Sequence, residues 1–192
     1  MPTSISDRHP PAGPPASAAT PGPPLPPAAL DCLARLSAAG IAARTVRHAP
    51  VFTVEEARAL RGELPGLHVK NLFLSPVRGE APDLLATVEE TRAVRINPLL
   101  RAIGAPRMSM ATPERLLQRL GVRPGSVTPL GLIHAAPGSV RVLFDRAILA
   151  ADGPVWMHPL DNSASTALSA AELLRFLAGL GHRVEPLPED AG

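Results

Sequence analysis

Lys70 is the first residue that could carry chemistry, because it is the only lysine in a chain in which Lys and Arg together number 19. A composition that uses arginine at every other such position indicates that this one requires a compact ammonium group and not a planar guanidinium. The lysine also lies inside the apolar run LHVKNLFLS of residues 67–75. A charged side chain in such a run is costly unless it reaches a cleft or a partner. Lys70 is therefore our first candidate for a functional site.

Two further stretches combine polar groups with turn-forming residues. Residues 123–133 read RPGSVTPLGLI, and a loop of this kind can turn backbone N–H groups toward a carbonyl oxygen or an anion. The same pattern is typical of a tight connection, and the string PGSV recurs at residues 137–140. Residues 158–166 read HPLDNSAST and lie between a predicted apolar strand and a predicted capped helix. Polar loops held by rigid elements are where binding residues concentrate.

Several common kinds of site are excluded by inspection. The chain has no Walker A loop, no GxGxxG pattern, no HExxH and no CxxC. Its single cysteine can form neither an intramolecular disulfide nor a cysteine metal cage, and no pair of its six histidines has a ligand-like helical spacing. Ser126, His134 and Asp145 are the residue types of a serine triad, but no nucleophile-elbow pattern surrounds any serine. We therefore expect a site without a metal and without a cofactor.

Positive charge is concentrated in residues 91–123, which carry seven arginines and one glutamate although the net charge of the whole chain is only +2. A local basic surface of this kind can bind a phosphate backbone. The alternative is an ordinary solvated helix face in an arginine-rich chain. The seven are Arg92, Arg95, Arg101, Arg107, Arg115, Arg119 and Arg123.

The composition divides the chain into a tail and one domain. Residues 1–27 contain ten of the 24 prolines without apolar periodicity, which predicts a disordered, partly polyproline-like tail. Residues 28–187 are predicted to form a single compact domain, followed by a short C-terminal tail of residues 188–192. No run approaches the roughly 18 to 20 apolar residues that span a bilayer, and the N-terminus lacks the features of a signal peptide. We therefore expect a cytoplasmic protein with no membrane association.

Capping, turn and strand signals predict the elements that must position these stretches. A first helix is predicted from near Pro27 to Gly40, and capping patterns predict the starts of four more, at Thr53, Asn97, Thr112 and Ser169. Strands are predicted at residues 41–47, 67–75, 83–88, 140–144 and 154–157. The elements are mixed without a regular βαβ alternation. The predicted fold is therefore α/β, of the mixed α+β kind, with a central mixed or antiparallel sheet flanked by helices.

Three motifs together resemble a known family. The lysine in VKNLFL at residues 69–74, the GxxxP loop at residues 125–129 and HPLDNSAST at residues 158–166 occur in the order found in the YbaK/prolyl-tRNA synthetase editing-domain superfamily. The stretches HAPVFTVEEA at residues 48–57 and MATPERL at residues 110–116 add to the likeness. The resemblance covers roughly residues 28–187 and is strongest to the free-standing branch that clears alanine from tRNA for proline.

This resemblance implies a YbaK-like fold and hydrolysis of an aminoacyl ester without a metal or an enzyme nucleophile. The expected catalytic residues are Lys70, which would hold the terminal adenosine and the ester, Asn71 beside it, and the pocket histidine His158. A water molecule assisted by a tRNA ribose hydroxyl is expected to attack, and an ammonium with backbone donors suffices to stabilise the oxyanion. The residues expected to bind the aminoacyl group are Gly125, Ser126, Val127, Thr128, Pro129, Gly131, Asn162 and Thr166.

The expected partner is the acceptor end of a mischarged tRNA, in the first place alanyl-tRNA for proline. Arg92, Arg95 and Arg107 are expected to bind the tRNA near its acceptor stem. A transient association with prolyl-tRNA synthetase is a further expectation, and the oligomeric state stays open.

Two alternatives also stay open. Ser163 and Ser165 stand where the family often has threonines, which leaves room for cysteinyl-tRNA or a broader set of small aminoacyl groups. A non-catalytic tRNA-binding module of the same fold is the other alternative. Lys70, the GxxxP loop and His158 argue against it.

Overall fold

The computed structural model describes residues 23–49 and 64–189. Most of the predicted proline-rich tail and the predicted helix beginning at Thr53 lie outside these ranges, as do residues 190–192. No helix within the described ranges is long and apolar enough to cross a bilayer.

The described ranges form an eight-stranded mixed sheet with five α-helices and one 3-10 helix. This architecture confirms the predicted fold class. In chain order the elements are α1 (Pro27–Ala38), β1 (Arg44–Arg47), β2 (Leu67–Pro76), β3 (Asp83–Glu89), α2 (Ile96–Ala102), β4 (Met108–Met110), α3 (Pro113–Leu120), the 3-10 helix (Pro129–His134), β5 (Val140–Phe144), α4 (Arg146–Leu149), β6 (Pro154–Met157), β7 (Ala164–Ser169), α5 (Ala170–Gly179) and β8 (Val184–Pro186).

The strands follow the order β1-β7-β6-β2-β3-β5-β8, and β4 pairs with β2 off this path. The pairs β1–β7, β6–β7, β2–β3 and β2–β4 are antiparallel. The pairs β2–β6, β3–β5 and β5–β8 are parallel. Strand β2 therefore lies in the middle of the sheet, and Lys70 on this strand is paired with Val88 of β3.

Alternation along β2 divides its side chains between two hydrophobic cores. Val69 and Phe73 belong to the first core, which also contains residues of α1, α3, α5 and the 3-10 helix. Leu72 and Leu74 belong to the second core, which is closed by α2. Because successive side chains of a strand point to opposite faces, the sheet is covered by helices on both sides.

Local capping signals place two helices as predicted. The Thr112 side chain accepts a hydrogen bond from the Arg115 backbone N–H at the start of α3, and Gly121 ends that helix in the left-handed conformation with φ of 66°. Ser169 and Glu172 form the reciprocal capping box of α5. The hydrogen bonds from the Ser169 side chain and backbone hold the pKa of Glu172 below its usual value.

The predicted N-cap at Asn97 is wrong. Helix α2 begins at Ile96, and its N-cap is Arg95, which makes no side-chain capping bond. Pro98 therefore occupies the first turn of the helix, where the missing N–H has no intrahelical acceptor to lose.

Both predicted polar loops contain regular structure. Residues 123–128 form a turn and loop as predicted, but Pro129–His134 form the 3-10 helix. Residues 158–163 form a loop, but β7 begins at Ala164. The short elements β4, α4 and β8 were also not predicted, and each has only three or four residues.

Candidate functional site

One edge of β2 is interrupted. At the start of the strand, Leu67 and His68 pair with β6. At its end, residues 74–76 pair with β4. The oxygen of Phe73 also accepts from the N–H of Ala111, directly after β4, at 3.0 Å. Residues 69–72 have no strand partner on this edge within the described ranges. Because β2 and β6 are parallel neighbours that separate here, the interruption resembles the crevices in which α/β sheets bind ligands.

Lys70 and Asn71 lie in the middle of this interruption and point to opposite faces. Lys70 shares the face of Leu72 and the second core, whereas Asn71 shares the face of Phe73 and the first core. Lys70 is half-buried, and its ammonium makes no hydrogen bond or ion pair within the described ranges. Its positive charge therefore lies at an interrupted sheet edge without being neutralised there by the described part of the chain.

The GxxxP loop contacts β2 through Asn71. The Asn71 side-chain Nδ2 donates to the backbone oxygen of Val127 at 2.8 Å. The Thr87 hydroxyl of β3 donates to Asn71 Oδ1 at 2.8 Å. The loop that was predicted to contact the substrate is thus brought to the interrupted edge.

Local bonds fix the shape of the loop. Gly125 adopts φ of 88°, a left-handed conformation that favours glycine. The Thr128 side chain accepts from the Leu130 N–H at 3.3 Å and so caps the 3-10 helix. The backbone N–H groups of Val127 and Thr128 find no acceptor within the described residues. Two successive peptide donors therefore remain for a ligand.

Other predicted loop residues are buried by packing. Ser126 is 5% exposed, and its N–H donates to the oxygen of Arg123 at 3.0 Å. Pro129 is buried as the first residue of the 3-10 helix. A Cβ at Gly131 would lie 2.9 Å from Leu120 Cβ, so this glycine lets the 3-10 helix pack closely on α3. These positions therefore hold the loop in place by packing against the protein interior.

His158 follows β6 directly and lies two positions beyond Trp156. Trp156 is the register partner of His68 and stacks on it with 6.0 Å between ring centroids. Lys70 lies two positions beyond His68, so the register brings Lys70 and His158 to the same part of the interrupted edge. The Nδ1 atom of His158 lies 3.0 Å from the oxygen of Ala164. A carbonyl only accepts, so Nδ1 carries a proton.

The structure adds a histidine–serine pair that the sequence did not predict. His48 Nε2 lies 3.0 Å from the hydroxyl of Ser165, and both residues are buried. His48 Nδ1 lies 2.8 Å from the oxygen of Ala49. Because that carbonyl requires a donor, Nδ1 carries a proton, and Nε2 makes the second hydrogen bond with the Ser165 hydroxyl. The pair joins the HAP and HPLDNSAST motifs across β1 and β7, and the motifs' separation of more than 100 residues hides it from sequence reasoning.

Asn162 and Thr166 both lie in the buried part of the 158–166 stretch. Thr166 is fully buried, and its hydroxyl lies 2.9 Å from that of Thr45 on β1. Asn162 is 9% exposed in the loop between β6 and β7. Asp161 shapes this loop by accepting from the Ser163 N–H at 2.9 Å.

The arginines of residues 91–123 fall into two groups. Arg92 pairs with Asp145 at 2.8 Å, and Arg115 and Arg119 each approach Asp83 at 3.0 Å. Asp83 and Asp145 are 0% and 2% exposed. Three of the seven arginines therefore neutralise buried carboxylates. The exposed ones are Arg95, Arg101, Arg107 and Arg123.

Other reactive groups lie apart from this region. Within the described residues, no group of three or more His, Cys, Asp or Glu side chains could hold a metal ion. Burial raises the pKa of the Cys32 thiol to about 12, which keeps it protonated and unreactive. A cavity of about 280 Å³ lies where the C-terminal ends of α1 and α5 meet, and it contains no predicted site residue.

Comparisons with known proteins show the family of the chain. Residues 48–176 match the model of the aminoacyl-tRNA editing domain. The chain is 36% identical to prolyl-tRNA synthetase associated domain-containing protein 1 of Danio rerio over 138 residues, which is 71% of this chain and 74% of the relative. It is 30% identical to the prolyl-tRNA editing protein ProX of Acetoanaerobium sticklandii over 150 residues, 78% of this chain and 90% of the relative.

A solved structure described as a candidate trans-editing enzyme for prolyl tRNA synthetase has the same fold. It superposes with a TM-score of 0.65 at 26% identity and covers 86% of this chain and 99% of its own. The family match spans the interrupted edge of β2, the GxxxP loop and the His158 segment. The chain is a member of the aminoacyl-tRNA editing domain family.

Proposed function

We propose that the chain is a free-standing trans-editing enzyme that hydrolyses the ester of mischarged tRNA for proline, in the first place alanyl-tRNA. One observation carries the proposal. The only lysine of the chain lies at the interrupted edge of β2, next to Asn71. Asn71 holds a loop in which two successive N–H groups find no acceptor within the described residues. The names of the relatives, which refer to prolyl-tRNA synthetase and prolyl-tRNA editing, support the same substrate class.

In the proposed mechanism, the ester lies in the gap between β2 and β6. Lys70 approaches it from one face of the sheet and the GxxxP loop from the other. Water attacks the ester carbon, and negative charge develops on the former carbonyl oxygen. The ammonium and the loop N–H groups stabilise that charge, an effect worth about 10²- to 10³-fold in rate for a single donor.

The remaining steps need no enzyme nucleophile. The tetrahedral intermediate collapses by breaking the bond between the carbon and the ribose oxygen. One proton of the water ends on that ribose oxygen, and the products are the free amino acid and the tRNA hydroxyl. We assign His158 to the orientation of the water or the ribose hydroxyl, because the register places it near Lys70 and its Nδ1 bond to Ala164 fixes the ring.

Size is the proposed basis of substrate choice. A synthetase pocket built for proline cannot strongly exclude alanine, since one or two missing methylenes are worth only about 1–3 kcal/mol. A second site that admits alanine and excludes proline corrects this weakness. Ser163 and Ser165 stand where threonines are frequent, so a broader pocket that also accepts cysteine is the second candidate.

Binding of the tRNA backbone is assigned to the exposed arginines. Arg95 and Arg107 fit this role because their side chains lie at the surface. Arg92 fits it less well, since its guanidinium pairs with buried Asp145. We place the enzyme in the cytoplasm with its tRNA substrate, and we propose a transient association with prolyl-tRNA synthetase.

Single-turnover deacylation tests the proposal. Alanyl-, cysteinyl- and prolyl-tRNA, each carrying the proline anticodon, are compared with wild-type protein and with Lys70→Ala. We expect fast release of alanine, sparing of prolyl-tRNA and loss of activity in the variant. Faster release of cysteine would favour the broader pocket. Release from none of the three would contradict the proposal and favour a tRNA-binding module.

A further inference from the structure

Asn71 was expected beside Lys70 as a catalytic residue, but its side chain is engaged at both ends. Its Nδ2 donates to the oxygen of Val127, and its Oδ1 accepts from the hydroxyl of Thr87, each at 2.8 Å. The carbonyl of Val127 can only accept, so the orientation of the amide is determined by its partners. These two bonds use one of the two Nδ2 donors and one of the two Oδ1 lone pairs, and they fix the amide between the loop and β3.

We propose that Asn71 is a positioning residue that aims the N–H of Thr128 as an oxyanion donor. The inference rests on the proposed function. It assigns the direct stabilisation of the ester oxygen to the loop backbone and to Lys70, and it removes Asn71 from the groups that touch the substrate.

The planarity of the peptide bond couples the direction of the Val127 carbonyl to that of the Thr128 N–H. The carbonyl of Val127 and the N–H of Thr128 belong to one peptide unit, and in a trans peptide they point in opposite directions. Cis peptide bonds are absent from the described residues. When Asn71 holds the carbonyl toward β2, it therefore fixes the direction of the Thr128 N–H as well.

The Thr128 N–H is unusual for its surroundings. Thr128 is 0% exposed, yet its N–H has no acceptor within the described ranges. Buried backbone donors are almost always paired, because an unpaired one costs about 1–3 kcal/mol. A donor kept in this state by a dedicated side chain is suited to an oxygen that becomes charged only during the reaction.

Asn71 is itself held by a rigid support. Thr87 is 0% exposed, and its backbone oxygen accepts from the N–H of Asp145 at 2.9 Å. Asp145 is in turn paired with Arg92 at 2.8 Å. The position of the loop thus depends on a chain of contacts that runs from a closed ion pair through Thr87 and Asn71 to Val127.

The test uses variants along this chain of contacts. Asn71→Ala removes both bonds, and Asn71→Asp places a carboxylate oxygen against the Val127 carbonyl. Thr87→Val removes only the hydroxyl at nearly constant volume, while Thr87→Ser keeps it. Ser139→Ala is the matched control, since it removes a hydroxyl bond to the carbonyl of Ala136 in a distant turn.

We expect Asn71→Ala and Asn71→Asp to lower the single-turnover rate about 10- to 100-fold, with KM changed less than about threefold. Thr87→Val should lose less, Thr87→Ser and Ser139→Ala should stay near wild type, and Asn71→Ala/Thr87→Val should be no worse than Asn71→Ala. Two results would overturn the inference. In one, the rate losses of Asn71→Ala and Thr87→Val multiply in the double variant. In the other, Thr87→Val keeps the wild-type rate, as direct contact of Asn71 with the substrate would allow.

An NMR measurement separates this inference from the proposed function. The amide resonance of Thr128 should shift in Asn71→Ala and in Thr87→Val but not in Thr87→Ser or Ser139→Ala. An unchanged resonance in Asn71→Ala overturns the positioning role whatever the activity. The variants could show the expected shifts while the wild-type protein deacylates none of the three tRNAs. That result would support the positioning of the Thr128 N–H by Asn71 and would contradict both the proposed function and the oxyanion role.

Discussion

Charged residues of the sheet and its connections fall into two kinds: the buried aspartates Asp83 and Asp145, which are paired, and Lys70, which is not paired in the described part of the chain. Each aspartate is at most 2% exposed and is matched by arginine, two guanidinium groups for Asp83 and one for Asp145. Lys70 is half-buried and has no ion-pair partner within the described ranges. A guanidinium is a planar fork suited to fixed carboxylates, whereas an ammonium is a compact charge. The buried carboxylates are thus paired with arginine, and the proposed function assigns the lysine to the substrate.

The largest expected effect concerns the support of Asp83. Replacing Arg115 and Arg119 together by alanine leaves a buried carboxylate without a partner, which should cost about 3–5 kcal/mol of unfolding free energy. Urea unfolding followed by the fluorescence of Trp156, the only tryptophan, measures it. Adding Asp83→Asn should recover part of the loss by removing the charge. No recovery would mean that the packing of the arginine stems, and not the ion pair, holds this region.

Arg92 and Arg107 form a second contrast within the basic segment. Arg92→Ala leaves Asp145 buried and should destabilise the fold by about 1–3 kcal/mol. Arg107→Ala, at an exposed position, should change the unfolding free energy by less than about 0.5 kcal/mol. It should weaken tRNA binding and lower the slope of the logarithm of the binding constant against the logarithm of the salt concentration by about one phosphate contact. Unfolding curves and binding isotherms at several salt concentrations distinguish the two. Equal stability losses in both variants would contradict the division of the arginines into those that pair with buried carboxylates and those that are exposed.

The smallest expected effect is the pH dependence of the α5 capping box. Ser169 lowers the pKa of Glu172, so the ionised carboxylate stabilises the fold above the ordinary glutamate pKa of about 4.3, and this stability is lost as the pH falls through the lower folded pKa. Glu172→Gln should therefore be less stable than wild type at pH 7, by under about 1 kcal/mol, and the difference should shrink in acid. A difference that is independent of pH would show that the carboxylate charge contributes nothing.

Local signals explain which parts of the fold were predictable. Strand β2 and the caps of α3 and α5 were predicted from residues within a few positions of one another. Elements β4, α4 and β8 were missed because three or four residues carry little periodicity and depend on strand pairing and tertiary packing. The polar composition of residues 158–166 did not predict the start of β7. The buried hydroxyls of Thr166 and Ser165 are hydrogen-bonded there by Thr45 of β1 and by His48, which follows β1.

The candidate site was predictable in its residues but not in its geometry. The lone lysine could be selected from its residue type, and the GxxxP loop from the family resemblance. The interruption in the edge of β2 could not, because it results from β6 and β4 sharing that edge. Nor could the proposed role of Asn71, which depends on Val127, 56 residues away, and on the buried Thr87 of β3.

Lys70→Arg is the most direct test of the central claim that a compact ammonium at this edge is required for deacylation. Single-turnover hydrolysis of alanyl-tRNA for proline and urea unfolding are measured on the same preparations of wild type, Lys70→Ala and Lys70→Arg. We expect both variants to fold with unchanged unfolding midpoints and to hydrolyse the ester about 100-fold or more slowly than wild type. Lys70→Ala removes the charge, and Lys70→Arg replaces the ammonium with a guanidinium that is larger, planar and differently hydrated. Near wild-type turnover in Lys70→Arg would contradict the central claim, since any positive charge would then serve.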